Sequence, residues 1–569
     1  MTTVPDRPSE LGIETGDGKD EWREGQQHTI ALILEAFEEK KFVLANMPTG
    51  TGKTIVATAV QRMSGWSAVN LTHTIQLQQQ YTETLPWATV VTGRRNHPCS
   101  LVPLTGPLSM SANDAPCKDG EDCEYIRPDG CSYYSMLFKA ADNPQVVLNY
   151  AYATRILQAG TLKNIAATFA LREGMSEAEE AYHTKKNPFH RDLLVCDEGD
   201  LAEGAIVDAA GIILAKEQWK RFGGTPQGIE DIEVWQAWGK AKEDEVEEWQ
   251  GECRAVYHSL VGQEVVNKKE VKQALRDLSR ASALVHQLEV LDYALPGEWL
   301  AQDMGEGATK VRPVWARSVA GRLLFAYFPR VLLMSGTLGD PSLLRWKLGI
   351  REEESAYIEI GHTFKAANRP VFFWPTVKMN KGTSKEELDD MAGRIDLIAT
   401  QSSLVEKKGI VHTGSFKVAK ELGRRLTVSL GSNVWTHQGG TRSQSQKEFI
   451  IKGLRESRAP LIALSPSLNT GVDIPYEIGW QVIAKVPFAN LGDPVVRTRR
   501  DYVDKDGRAI GKENYDAEAM NAVIQACGRA VRAPDDRGVT YILDTNFWPL
   551  YKRSFVPSYF KESLLYKKE

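Results

Sequence analysis

Short apolar runs, cut by glycine, proline and acidic residues, alternate with longer stretches of helical composition in two series along the 569-residue chain. The first series predicts strands at 41–45, 67–71, 88–91, 193–196 and 331–335. The second predicts strands at 409–412, 433–436, 461–465, 481–486 and 539–543. Strands alternating with helices imply parallel sheets whose ligand site lies at the strands' carboxyl ends. Two such series, each the size of a nucleotide-binding domain, predict an α/β protein of two stacked lobes, with a linker near 350–368. From about 205 to 325 charged, helix-favouring sequence takes over, including the acidic run Lys242-Glu-Asp-Glu-Val-Glu-Glu248, and predicts a helical insertion. Trp235, Trp238, Val246 and Trp249 fall near one helical face there, a spacing that reads as core packing.

Composition narrows this picture. A net charge of -5 excludes a uniformly basic nucleic-acid coat, so any nucleic-acid contact must be local. Apolar residues make up 42% of the chain, enough for several cores. The N-terminus has no apolar signal core, and no apolar stretch of about 20 residues offers a membrane span, so a soluble, cytoplasmic protein is expected. In a reducing compartment, clustered cysteines among a total of seven bind metal more often than they pair.

Candidate chemistry begins at Met47-Pro-Thr-Gly-Thr-Gly-Lys53-Thr54, which follows a strand and opens a helix. Backbone N–H groups of Thr49, Gly50, Thr51 and Gly52 suit phosphates, Lys53 suits the β and γ phosphates, and the Thr54 hydroxyl suits Mg²⁺. Asp197 and Glu198 end a later apolar strand, where Asp197 suits Mg²⁺ and Glu198 suits an attacking water. In the second series, Gln525-Ala-Cys-Gly-Arg529-Ala-Val-Arg532 is expected to place two arginines one helical turn apart, reaching a γ-phosphate as arginine fingers.

Cys99, Cys117, Cys123 and Cys131 lie between the two halves of this ATPase site, with 17, 5 and 7 residues between successive cysteines. The spacing lacks the tight pairs of many zinc sites; taken alone it leaves an iron–sulfur cluster, zinc and unligated thiols open. The segment is poor in apolar residues, so a metal staple would supply a constraint that it lacks.

The order Arg23-Glu-Gly-Gln26, phosphate loop, Leu71-Thr-His-Thr74, Asp197-Glu198, Ser335-Gly-Thr337, Gly471-Val-Asp473 and Gln525 to Arg532 resembles a superfamily 2 helicase. The cysteine quartet, preceded by Gly93-Arg-Arg-Asn96, narrows the resemblance to the XPD/DinG branch of iron–sulfur helicases over roughly residues 20–545. The resemblance implies two RecA-like lobes. Lobe 1 would comprise 1–92, 132–204 and 326–350; a cluster insertion would occupy 93–131, an arch-like helical insertion 205–325, and lobe 2 would comprise 351–569. It implies ATP, Mg²⁺ and a 4Fe–4S cluster on the four cysteines as cofactors, and monomeric 5′ to 3′ movement on single-stranded and forked DNA with the cluster domain as a wedge. Gln26 would contact adenine, Ser335 and Thr337 would couple hydrolysis to movement, and Gly471 with Asp473 would line the lobe interface.

Thr72, His73 and Thr74 in the first lobe and Thr413 and Ser415 in the second are expected to hold the strand's phosphates, and Arg497, Arg499 and Arg500 either add local positive charge there or lie on a solvated loop. Two departures stand out: Asp-Glu-Gly-Asp200 replaces Asp-Glu-Ala-His, and Ser-Gly-Thr replaces Ser-Ala-Thr. An ionised Asp200 donates no hydrogen bond, which puts coupling rather than hydrolysis in question. Unwinding of RNA or hybrids, and an ATP-hydrolysing platform without strand separation, stand as rival readings.

Overall fold

The computed structural model describes residues 3–566 apart from 16–18, 49, 74–77, 79–80, 82–84, 101–110, 116, 118–122, 157–190, 262–267, 402, 441–442, 459, 469–473, 475 and 534. In chain order its strands are β1 (Phe42–Asn46), β2 (Ala68–Thr72), β3 (Thr89–Val90), β4 (Gln145–Asn149), β5 (Leu193–Asp197) and β6 (Ile212–Ala215). They continue with β7 (Trp299–Gly305), β8 (Ala308–Pro313), β9 (Arg330–Ser335), β10 (Ser355–Glu359), β11 (Val371–Val377) and β12 (Lys408–His412). The last are β13 (Val434–Thr436), β14 (Ile462–Ser465), β15 (Ile478–Ile483), β16 (Val539–Asp544) and β17 (Leu564–Tyr566).

Two seven-stranded sheets result. The first has the order β10-β1-β9-β5-β2-β4-β3 and the second β13-β14-β12-β15-β16-β11-β17, and every strand pair in both is parallel. The central strands β1, β2 and β5 are buried along their whole length, which is why β1 and β5 read as apolar runs up to their last residue, while buried Asn70 interrupts the run in β2.

The structure corrects the sequence reading at three places. The presumed linker contains β10, which pairs with β1 and closes the first sheet, so lobe 1 extends beyond 350. Its Ser-Ala-Tyr-Ile-Glu sequence is buried only at Ser355 and Ile358, as an edge strand can be, and carries no apolar run to detect. The strand expected at 481–486 begins earlier, at Ile478. The insertion is not wholly helical: β6, β8 and β7 form an antiparallel sheet at its base. Gly305 and Gly307, both at positive φ, turn β7 into β8, and the strict alternation of burial along β8 is a period-two signal present in the sequence.

Helices Glu243–Val261 and Lys268–Asp292 pack along one another above this small sheet. Trp235 and Val246 are fully buried, Trp238 and Trp249 pack against the same cluster, and the Trp219 indole N–H donates to Gln287 Oε1 at 2.8 Å. The tryptophans are therefore core.

The two faces of the first sheet differ. One is covered by helices Gln26–Glu39 and Lys53–Ser64, whose Ile30, Ile33 and Val60 pack on Val43, Ala45 and Val195. The other packs on both insertions in one continuous cluster that includes Leu44, Leu71 and Leu194, then Tyr134 and Phe138, and Cys99, Cys117 and Cys131. No helix among the described residues is long and apolar enough to cross a membrane.

Candidate nucleotide site

The phosphate loop leaves the end of β1, with the Met47 N–H tied to the Ser335 carbonyl on β9 at 2.7 Å. Gly50 and Gly52 have φ of 86° and 77°, a left-handed region that favours glycine, and Gly52 caps helix Lys53–Ser64. A Cβ at Gly50 would lie 2.2 Å from the Phe364 ring, and one at Gly52 2.5 Å from the Gln26 amide, so packing as well as backbone geometry demands glycine. Thr51 is buried, its hydroxyl donating to the Pro48 carbonyl at 2.8 Å. Thr49 lies outside the described residues.

Gln26 is placed differently from its expected role at adenine. Its side-chain oxygen accepts the Arg23 N–H at 2.8 Å and its amide donates to the Thr51 carbonyl at 2.8 Å, while Arg23 itself donates to the Gly50 carbonyl at 2.7 Å. Both residues brace the phosphate loop from behind.

Asp197 ends β5, buried, with its carboxylate accepting the Glu198 N–H at 3.0 Å and its carbonyl accepting the Tyr150 hydroxyl at 2.9 Å. Burial pushes the Asp197 pKa up to about 6, opposed by the Lys53 charge and reinforced by Glu198. Tyr81, also buried, lies beside Thr54 and Asp197; burial, then the Asp197 charge, hold its phenol well above its usual pKa. Sequence reasoning missed both tyrosines, because nothing in their local sequence marks a phenol that the fold will carry to this carboxylate.

Asp200 joins the lobes. It accepts the Thr337 hydroxyl at 3.2 Å and the Gln525 amide at 2.8 Å, and that same amide donates to Thr337 Oγ1 at 2.8 Å. Ser335 donates to Glu198 at 3.4 Å, and Asn521 to the Thr337 carbonyl at 3.3 Å. Burial and then the Glu198 charge raise the Asp200 pKa to about 6. The residue whose inability to donate put coupling in question thus makes its cross-lobe contact as an acceptor.

A cavity of about 140 Å³ lies between the lobes, lined among others by Pro48, Lys53, Glu198, Gln525, Arg529 and Arg532. One expectation changes here: helix Ile510–Cys527 stops before the arginines, with Gly528 as its cap, so they leave a turn rather than successive helical positions, and still face one cavity. Gly471 and Asp473 lie outside the described residues.

Comparison with known proteins agrees with this geometry. The family described as Helicase C-terminal domain matches residues 398–562, and that described as Type III restriction enzyme, res subunit, matches 19–199. A Regulator of telomere elongation helicase 1 homolog from Oryza sativa subsp. japonica is 38% identical over 95 residues, 15% of this chain and 9% of the relative. Its namesake from Drosophila persimilis is 29% identical over 118 residues, 19% of this chain and 12% of the relative, so the chain spans only about a tenth of these curated relatives. The solved structure XPD_Helicase superposes with a TM-score of 0.55 at 14% identity, covering 96% of this chain and 99% of that one. S. tokodaii Xpd4 gives 0.53 at 13% identity, covering 96% and 100%. Each lobe thus carries a family match of its own, and the chain as a whole shares the fold of the solved XPD structures.

Along the presumed strand path several side chains are placed differently from expectation. Thr72 and Thr413 are fully buried, Thr413 donates to the Ser415 carbonyl at 3.2 Å, and the Ser415 hydroxyl caps helix Phe416–Leu430 by accepting the Val418 N–H. The Thr413 and Ser415 hydroxyls serve local structure, whereas His73 is exposed; Thr74 lies outside the described residues. Arg499 is no surface charge: it pairs with buried Glu203 at 2.9 Å and stacks 4.1 Å from the centre of Trp315, which meets Trp346 and Tyr502 edge to face. This clasp ties the second lobe to the first and to the base of the insertion.

In the cysteine segment Cys99, Cys117 and Cys131 are buried and Cys123 is half-buried. Cys117 and Cys123 share a thiol hydrogen bond, and Arg94 donates to Cys117 Sγ at 3.3 Å while stacking 4.4 Å from the centre of Tyr133. The Cys123 contact, then the Arg94 charge, lower the Cys117 thiol to about 6, against the effect of burial. Cys131 caps helix Ser132–Asp142 at its positive end. The same contact and burial push the Cys123 thiol up, so of this pair Cys117 alone is held toward the thiolate that a soft metal centre takes, and no three His, Cys, Asp or Glu among the described residues are grouped to hold a metal ion.

Proposed function

We propose that the protein is an ATP-driven DNA helicase moving 5′ to 3′ on single-stranded DNA, as a monomer, with the cysteine segment as a wedge at the duplex junction. The observation that carries this reading is the cavity between the lobes, where Lys53 and Glu198 of one lobe face Arg529 and Arg532 of the other. Lys53 would hold the β and γ phosphates and Glu198 would orient or deprotonate the attacking water, both from strand ends that need not move. The two arginines reach the same space from the second lobe, so hydrolysis would depend on lobe closure.

Thr54 and Asp197 offer hard oxygen ligands on adjoining elements, and Mg²⁺ held there would neutralise charge on the phosphates. Asp200, Thr337 and Gln525 form the link through which nucleotide state would bias the lobes. Cys99, Cys117, Cys123 and Cys131 would hold a 4Fe–4S cluster, which would give the segment a covalent framework in place of a core. Exposed His73 and the backbone around Ser415 are the proposed phosphate contacts, and such binding should be sequence-tolerant and weaken with salt.

Displacement of a labelled strand from duplexes carrying 5′ or 3′ tails, beside Lys53→Ala, tests the proposal. Displacement only from 5′-tailed substrates, dependent on ATP and on Lys53, is expected. Hydrolysis without displacement from either tail would leave the platform reading, and displacement confined to RNA or hybrid duplexes would move the substrate.

A further inference from the structure

The connection between the lobes carries an arginine that no motif marks. Arg369 lies where β10 of the first lobe passes to β11 of the second, with its side chain only 11% exposed. Its Nε donates to the Phe364 carbonyl at 3.1 Å, and one terminal nitrogen, Nη1, donates to the Tyr559 carbonyl at 2.7 Å and to the Ser563 hydroxyl. The other, Nη2, is buried and has no hydrogen-bond partner. The nearest carboxylate, Glu562, is 3.8 Å away and more than half exposed.

Burial lowers the guanidinium pKa despite the opposing Glu562 charge, so the cation is stripped of water without full compensation. A buried N–H left without an acceptor is costly, and a guanidinium pinned through two of its nitrogens has the direction of its third already set. Arg369 lines the cavity that also presents Lys53, Arg529 and Arg532, with Glu198 as the carboxylate opposite them. Such an excess of cations suits a polyanion.

The Arg369 cradle also reaches the phosphate loop. Phe364, whose carbonyl holds Nε, packs its ring against Gly50 and in one cluster with Ala530 and Val531, beside Arg532. His362, another lining residue, is kept neutral by burial and by Arg369 itself, with its pKa down at about 3, so it does not compete for an anion.

We infer that Arg369 is a further phosphate contact of the nucleotide site, donating from Nη2 to the polyphosphate of a bound nucleoside triphosphate. The inference rests on the nucleotide reading proposed above. Binding of a fluorescent ATP analogue to the full chain, with thermal melting of the same preparations, tests it in Arg369→Gln and Arg369→Lys. Loss of one charged hydrogen bond predicts that Kd rises about tenfold in folded Arg369→Gln, with the melting midpoint lowered by loss of the contacts to Phe364, Tyr559 and Ser563. Arg369→Lys keeps the charge without the fork and should fall between the two; it also serves as the readout should Arg369→Gln fail to fold. Wild-type affinity in a folded variant, with or without a shifted midpoint, would make Arg369 a brace for the C-terminal segment and overturn the inference. No binding by the wild type would instead overturn the nucleotide reading itself.

Discussion

In the nucleotide cleft, side chains as distant in sequence as Lys53, Glu198, Thr337 and Arg532 are brought together by the strand ends of two preformed parallel sheets. In the cysteine segment, four thiols lie within residues 99–131, and the burial available to them is borrowed from one face of the first sheet. A site carried by sheets can lose a functional side chain and keep its geometry. A site whose constraint is the thiol set itself should lose geometry and function together.

The largest effect expected from this contrast is in the cleft. Arg532→Ala should lower kcat for ATP hydrolysis by about 10³-fold or more while leaving the melting midpoint almost unchanged, checked by phosphate release and thermal unfolding. A large fall in stability would show that the cleft is not carried by its sheets as described. Next comes Cys117→Ser, for which bound iron and strand displacement should both be lost while ATP hydrolysis continues. Measured iron together with a displacement assay decides it, and full unwinding by an iron-free protein would remove the distinction between the two regions.

The clasp between lobes gives an intermediate effect. Arg499→Ala leaves Glu203 buried without its partner, which should cost about 3–5 kcal/mol in denaturant unfolding. Glu203→Gln in the Arg499→Ala background should recover part of that loss, because no unpaired charge then remains. The smallest effect is a pH dependence. The Asp200 pKa is raised to about 6 in the folded protein, so its contribution to stability is full below its ordinary value and is lost as pH rises through about 6. Asp200→Asn removes this titration and should gain stability relative to wild type as pH rises from about 4 to 7, seen as a growing difference in unfolding midpoint. A difference that stays constant with pH would mean that Asp200 titrates normally.

Much of the cleft is legible in the sequence, because its chemistry is carried by residues next to one another: a glycine loop, then Lys53 and Thr54; Asp197, then Glu198. Each such cluster sits at a strand end that an unbroken apolar run announces. β10 escapes notice because an edge strand needs no such run, and β7 with β8 because charged sequence around the long helices masks a short alternating hairpin. Gln26 and Arg499 carry the right residue types for the roles first expected of them, yet the first is taken up by Thr51 and the second by Glu203. Those partners are 25 and 296 residues away, beyond what local pattern can specify.

From sequence alone come the two α/β lobes, the phosphate loop, the acidic pair, the arginine pair and the clustering of four cysteines, since each depends on local periodicity or on adjacent residues. Only the tertiary structure turns Asp200 from an apparent defect into the acceptor that joins Thr337 to Gln525, and brings Arg369 to the cavity wall. Both outcomes depend on how two sheets meet, and the direction of a buried hydrogen bond is decided by the partners that folding supplies.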